Sequence, residues 1–202
     1  MNPRVIFILL ATVLSVACLQ TGCQSLPTPA PVASRSLATR NNCYSLLHQL
    51  LDEQKDVSLL RFIKSEPSDV KLLVKRIATT SGTAAKLLEK CAKDDPSIPL
   101  DDIQLPPGEL ATRAAISSAK EKELLSQSGD EFDLALLLTQ TEALTYASHL
   151  AKVAGENEPQ PERAQALAGI AEDLQNLYQD VFNLLLSKTR FSLTNSIPSH
   201  PA

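Results

Sequence analysis

The sequence is poor in the residues that favour β-sheets and in residues that mark special scaffolds. It has no Trp, one Met and six Gly, and aromatic residues make up only 4% of its 202 residues. This scarcity argues against an aromatic-rich β-sandwich, because strands favour Val, Ile, Tyr, Phe and Trp. Four Cys are too few for a disulfide-dense scaffold. The formal net charge of −4 provides no broad basic field, so we expect no nucleic-acid partner.

The chain begins with an apolar segment of the kind that directs export. Met1–Arg4 carries one positive charge, and Val5–Leu19 is almost entirely apolar. About fifteen residues are too few to span a bilayer comfortably, and this length suits the apolar region of a signal peptide. The following Gln20-Thr21-Gly22-Cys23 resembles the lipobox of bacterial lipoproteins, in which the Cys is lipidated and becomes the first residue after cleavage. The resemblance implies that residues 1–22 are a signal peptide and that Cys23 carries lipid, the chain's contact with the membrane.

The residue after Cys23 bears on location. It is Gln24 rather than Asp, and in Gram-negative lipoproteins this implies sorting to the outer membrane, facing the periplasm. The alternative is an ordinary secretory signal, which would give a secreted or cell-surface protein. Residues 23–41 are rich in Pro, Ser and Thr without apolar periodicity, and we predict a tether there. Residues 189–202 are predicted to be a flexible tail.

Residues 42–188 carry apolar side chains at steps of three and four, which is typical of a buried helix face. We therefore predict an all-α fold, an up-down four-helix bundle with an extra short helix, about 109–127, before the third bundle helix. The four bundle helices are predicted over about 42–64, 65–94, 131–154 and 162–188. The fourth has the most regular apolar spacing, which fits left-handed bundle packing.

Two cysteines remain once the signal peptide and the lipidated residue are set aside. If the first two bundle helices turn near Glu66, Cys43 and Cys91 both lie roughly 35 Å from that turn, at about 1.5 Å per residue. Both also fall on the apolar lines of their helices. We predict a disulfide between them; the alternative is two buried free thiols, which are common in protein cores. Because the chain has no Cys-x-x-Cys, a redox-catalytic role is not expected.

No residue pattern points to catalysis or to metal binding. A di-iron bundle requires Glu-x-x-His on two helices, but Ser45 and Tyr146 precede His48 and His149 at that spacing. The third histidine, His200, lies in the predicted tail. Signatures of nucleophilic hydrolases and of phosphate-binding loops are also absent from the sequence. We therefore expect no catalytic residue, no metal site and no cofactor, and we do not predict an enzyme.

Three features of the second and third bundle helices have alternative interpretations. Gln140 interrupts an apolar line, and we predict a buried amide that is satisfied across the bundle. Leu134–Leu138 makes the third helix apolar nearly all round, which favours a central helix of the bundle over a partner surface. The polar stretch Thr79–Thr83 is predicted to be an exposed face or a tolerated kink.

Two short motifs resemble a known family. Gly129-Asp130-Glu131-Phe132-Asp133 opens the third helix, and Pro67-Ser68-Asp69-Val70-Lys71 opens the second. They are similar to motifs in a ferritin-like family of exported bacterial four-helix proteins of unknown function, often labelled predicted outer membrane proteins. The resemblance implies a ferritin-like bundle over about 42–187. Histidines common in that family are replaced here by Thr, Ser and Gly in the second helix and by Tyr178 in the fourth. The resemblance therefore implies no metal site in this chain.

These patterns favour a non-enzymatic structural or partner-binding module of the cell envelope, anchored at Cys23, with another envelope protein as its partner. One alternative is a degenerate ferritin-like metal, redox or stress-related protein, which would need three inward carboxylates or histidines. Another is a small-ligand or stress-sensing module, which would need an interior cavity of roughly several hundred Å³. Partner binding instead requires exposed apolar side chains on the third bundle helix or on the short helix before Gly129.

Overall fold

Every element that the structure describes is a helix. The structure is a computed structural model, and it describes residues 32–56 and 68–195. Within these ranges there is no strand, which confirms the predicted all-α class. None of the described helices combines the length and the apolar character that crossing a membrane requires. The helices are α1 (Val32–Lys55), α2 (Ser68–Asp94), α3 (Pro107–Ser126), α4 (Gly129–Glu156) and α5 (Pro161–Asn195).

The first helix begins earlier than the sequence predicted. α1 starts at Val32, so the last part of the predicted tether 23–41 is helical. A polar contact holds this early part of the helix, because the Ser36 hydroxyl donates to Asn157 Oδ1 at 2.9 Å. A polar anchor leaves no apolar periodicity in the sequence, and the boundary was therefore placed too late.

The last helix also extends beyond its predicted end. α5 continues to Asn195, so the first half of the predicted tail 189–202 is helical. Thr189 at the start of that stretch keeps its hydroxyl on the helix, where it donates to the Leu185 carbonyl at 3.1 Å. The stretch 57–67, which includes the predicted end of the first bundle helix, lies outside the described residues.

Four helices pack in a closed ring around one core, and α3 lies against the outside of that ring. α1 packs against α2 and α4, α5 packs against the same two helices, and α3 packs against α4. Neighbours in the ring run antiparallel. In α4 and α5, for example, Asp133 near the start of one pairs with Lys188 near the end of the other, while Gly155 lies beside Leu167 at the opposite end.

The core includes most of the apolar lines that the sequence predicted, together with neighbouring side chains such as Tyr44, Leu51 and Leu144. Each fully buried Leu, Ile, Val or Phe side chain contributes about 1.5–3 kcal/mol relative to an exposed one. The buried apolar lines of the ring helices therefore contribute strongly to the free energy of folding. Their buried members are Val70, Leu73, Val74, Ile77, Ala84, Leu88 and Cys91 in α2, Phe132, Leu136, Gln140, Ala147, Leu150 and Ala154 in α4, and Leu167, Ile170, Leu174, Leu177 and Val181 in α5.

A buried carboxylate ties the helices together at one end of the ring. Glu158 lies in the turn between α4 and α5, and its side chain is fully buried. Its oxygens accept from Arg163 Nη2 at 2.8 Å and from the Tyr44 hydroxyl at 3.1 Å, and Arg40 Nη1 lies 3.8 Å away. Arg163 also donates to Asp95 at 2.9 Å. This cluster therefore connects α1, the loop after α2, the turn after α4 and α5.

The hydrogen bonds of Glu158 keep it ionised despite its burial. Burial alone raises the pKa of a carboxyl, but hydrogen bonds from Arg163, from the Gln160 backbone N–H and from Tyr44 outweigh it and lower the pKa of Glu158. Burial and the nearby Glu158 carboxylate raise the pKa of Tyr44, so its hydroxyl stays protonated and donates. The cluster is therefore a set of charge-assisted hydrogen bonds at neutral pH.

Glu158→Gln should destabilise the protein strongly, because it leaves Arg40 and Arg163 without their buried counter-charge. Breaking a buried pair by removing one partner costs about 3–5 kcal/mol. The measurement is the free energy of unfolding in urea, compared with Glu156→Gln, which changes an exposed carboxylate in the same segment. Equal unfolding free energies for the two variants would contradict the role given to Glu158.

The contribution of Glu158 should also depend on pH. Because its folded pKa lies below the ordinary value of 4.5, its stabilisation is complete above that value and is lost as the pH falls through the folded pKa. The difference in unfolding free energy between the wild type and Glu158→Gln should therefore be constant near neutral pH and should shrink in acid. A difference that stays constant down to pH values of about 2–3 would show that the carboxylate charge is not what stabilises this end.

Candidate functional site

The two predicted core cysteines are buried, and they are free thiols in the structure. The helices that carry them run antiparallel, as expected, because Lys55 lies beside Gly82 and His48 beside Glu89. Burial raises the pKa of Cys43 and of Cys91, which makes both poor nucleophiles. The disulfide between them stays a prediction. Cys23, the predicted lipidation site, lies outside the described residues.

The two described histidines, His48 and His149, occupy separate positions rather than one cluster. His48 Nε2 lies 3.5 Å from Glu89, and His149 Nδ1 lies 2.8 Å from the Thr145 carbonyl on the previous turn. His200 lies outside the described residues. Within residues 32–56 and 68–195, no group of three His, Cys, Asp or Glu side chains could hold a metal ion.

The third helix is much more exposed than the other four. It begins at Pro107, whose ring suits the first turn of a helix, and only Leu124 among its residues is buried. Leu125 and Ile116 are 49% and 51% exposed, respectively. The chain then turns into α4 at Gly129, whose φ of +59° favours glycine. α3 thus rests on the bundle by one edge and presents large apolar side chains beside it.

A groove runs between this helix and the ring. We call it the α3 groove. It is lined by residues within 53–56 at the end of α1, 113–125 of α3 and 136–146 of α4, and its volume is about 1000 Å³. Its surface is mainly apolar, with the buried Leu124 and Leu136 among its lining residues. The space therefore lies between α3 and the bundle surface, not in the bundle interior where the small-ligand hypothesis placed a cavity.

Two glutamine residues among those that line this groove have a buried, unsatisfied side-chain oxygen. Gln140 is only 2% exposed, and its Oε1 has no hydrogen-bond partner among the described residues. The same holds for Oε1 of Gln54, across the groove on α1. The prediction that Gln140 is buried is confirmed, but its Oε1 is not satisfied across the bundle as predicted. A buried polar group left unsatisfied costs about 1–3 kcal/mol, so its presence in the core line requires an explanation.

The α3 groove has more carboxylates than cations, and both of its cations are already paired. The lining residues include four carboxylates and two cations. Both cations are already paired: Lys120 binds Glu142, and Arg113 donates to Glu109 at 2.7 Å and to the Tyr146 hydroxyl at 2.8 Å. The Arg113 guanidinium also lies over the Tyr146 ring, 4.9 Å from its centroid. The groove therefore has an excess of negative charge and no uncommitted cation.

A second apolar surface lies on the other side of α4. We call it the α4–α5 face; it is formed by Leu138, Tyr146, Tyr178, Phe182 and Leu185. The rings of Tyr178 and Phe182 stack with their centroids 5.9 Å apart. Leu138 is 53% exposed. The packing of α4 against three other helices fits the predicted central helix, and the partner surface stays a prediction.

Comparisons with known proteins add no family to these observations. No family model, no curated protein and no solved structure matches this chain.

The cysteine prediction can be tested by mass spectrometry. If Cys43 and Cys91 form a disulfide, protein from an oxidising compartment, unfolded without reductant, should take up no alkylating reagent at either residue. After reduction, both residues should be alkylated. Alkylation of both without reductant would contradict the disulfide and support the buried free thiols found in the structure.

Proposed function

We propose that this chain is a lipid-anchored, non-enzymatic helical module of the cell envelope that binds a partner protein in the α3 groove. The single observation that carries the proposal is the exposure of large apolar side chains on α3 beside the apolar α3 groove. Leu110, Ile116 and Leu125 are each more than two-fifths exposed. Large exposed apolar side chains beside an apolar groove are typical of interaction sites.

The shape of the groove suits an α-helix as the bound element. Its α3 wall extends from Arg113 to Leu125, which corresponds to roughly 18 Å at about 1.5 Å per residue. Grooves between parallel or antiparallel helices take the apolar face of a partner helix, which is an established mode of recognition. A partner helix of about three turns would cover Ile116 and Leu125 along this length.

The proposal includes a ferritin-like arrangement of the bundle. α1, α2, α4 and α5 would be its four helices, and α3 would be the connection that returns the chain between the second and the third. The closed ring of packing contacts supports this arrangement. Because α3 is then a connector rather than a core helix, its apolar side chains are available to a partner.

The proposed anchor rests on the sequence. The apolar segment Val5–Leu19 and the following Thr21-Gly22-Cys23 support lipidation of Cys23. Gln24 supports an outer-membrane location facing the periplasm, with a secreted or cell-surface protein as the alternative. More than one acyl chain is needed for stable anchoring, because each buried CH₂ contributes only about 0.8 kcal/mol. An anchored module would meet its partner at the membrane surface.

Photo-crosslinking in intact envelopes tests the proposed docking site. A photoreactive amino acid at Ile116 should give a discrete adduct with one protein, whereas the same group at Leu72, which is 64% exposed on α2, should not. Leu125→Glu should abolish the Ile116 adduct, and Leu72→Glu should leave it unchanged. Both are exposed positions, so neither substitution should change stability by more than about 0.5 kcal/mol. Equal crosslinking from the two positions, or an adduct insensitive to Leu125→Glu, would overturn the proposal.

A further inference from the structure

The partner's chemistry follows from the polar groups of the α3 groove, and this step rests on the proposed function. We infer that the groove binds a cationic amphipathic helix, whose apolar face packs on Ile116 and Leu125 and whose Lys or Arg side chains donate to Gln140 and Gln54. The two independent observations are the unsatisfied amide oxygens in the groove and the excess of carboxylates among its lining residues.

The amide oxygens require a donor. Gln140 lies in the core line of α4 between buried apolar residues, and its Oε1 has no partner within the described residues. A Leu at this position would fill similar space without leaving a buried polar atom unsatisfied. A bound N–H donor would satisfy this oxygen, and Gln54, which lines the same groove, offers a second acceptor. Lys and Arg carry three and five N–H donors, respectively, and no acceptor, so they match two acceptor oxygens best.

The charges of the groove exclude an anionic ligand and favour a cationic one. An acyl chain with an anionic headgroup would need a free cation, but Lys120 and Arg113 are engaged by Glu142 and Glu109. Glu121, by contrast, lines the groove without an ion pair among the described residues. A cationic helix would place its charge against this carboxylate. The complementarity would also speed association and make it sensitive to salt.

The apolar surface excludes a simple polycation. The groove exposes mainly apolar atoms, and a flexible polyamine would leave Ile116 and Leu125 in water. An amphipathic helix covers these side chains with one face and presents its donors from the edge of that face, because residues three and four apart lie side by side. One amphipathic helix thus supplies both the apolar contact and the N–H donors.

Two stapled helical peptides test the inference directly. Both have about 14 residues, roughly 21 Å of helix, and share one Leu-rich face; the polar face carries Lys and Arg in one and Glu in the other. Binding to the full chain in zwitterionic nanodiscs is measured by calorimetry, with empty nanodiscs as the blank. The cationic peptide should bind at least about tenfold more tightly than the anionic one, and added salt should reduce this ratio.

Variants of the groove identify the groups responsible. Gln140→Leu should weaken the cationic peptide about three- to tenfold, as for loss of one net hydrogen bond, and should raise the urea midpoint of the free protein. Gln175→Leu, at an exposed position on α5, should do neither. Glu121→Gln should weaken the same peptide, and Glu172→Gln on α5 should not. A loss of binding in Gln140→Leu together with a raised midpoint cannot come from misfolding.

The outcomes separate this inference from the proposed function. If both peptides bind equally, the cationic partner is wrong and docking by apolar contact remains. If neither peptide binds but Ile116 still crosslinks to one protein, the inference is again wrong and the docking site stands. If neither peptide binds and the Ile116 adduct is absent, both are overturned. Binding of the cationic peptide that is unchanged in Gln140→Leu and Glu121→Gln would also overturn the inference.

Discussion

The apolar faces of four helices bury one another in this protein. That mutual burial leaves the remaining helix, α3, outside the ring. α1, α2, α4 and α5 each have two neighbours in the ring, so their apolar lines are covered on both sides. α3 packs mainly against α4, and Leu124 is its one buried residue. The exposed side chains of α3 and the groove beneath it follow from this geometry. The candidate site is thus a consequence of bundle closure rather than an addition to it.

The ends of the ring are fixed by polar groups rather than by apolar ones. Glu158 connects a turn to α1 and α5 through Tyr44, Arg40 and Arg163. At the other end, the Lys188 ammonium lies 2.9 Å from the buried Asp133 carboxylate. Such buried charges add little net stability compared with apolar replacements, but removing one member is costly. Because these contacts join the ends of neighbouring helices, sliding one helix by a turn would break them.

The sequence predicted the elements of the core well, because a repeat of three and four residues reports directly on burial. The line from Leu167 to Val181 is buried as its spacing indicated. The same signal failed where polar atoms decide the structure. α1 starts at Val32, and its first turns are held by polar contacts such as that of Ser36 with Asn157, which produce no apolar periodicity in the sequence. The α3 groove could not be predicted from the sequence, because it depends on the distance between α3 and the bundle helices. Gln140 was visible as an interruption of an apolar line, but its unsatisfied oxygen is a property of the packed structure.

α4 is the element through which these features meet. Its one side faces the core, and its outer side separates two apolar surfaces that share Glu142 and Tyr146. On the groove side these two residues are held by Lys120 and Arg113 from α3, whereas the α4–α5 face rests directly on the ring. A change in how α3 sits would therefore reshape the groove and release Tyr146 while leaving the core lines of α4 and α5 in place. Because α3 is joined to the ring by few buried groups, such a change requires much less free energy than opening the bundle. The α3 groove can therefore change shape while the bundle stays folded.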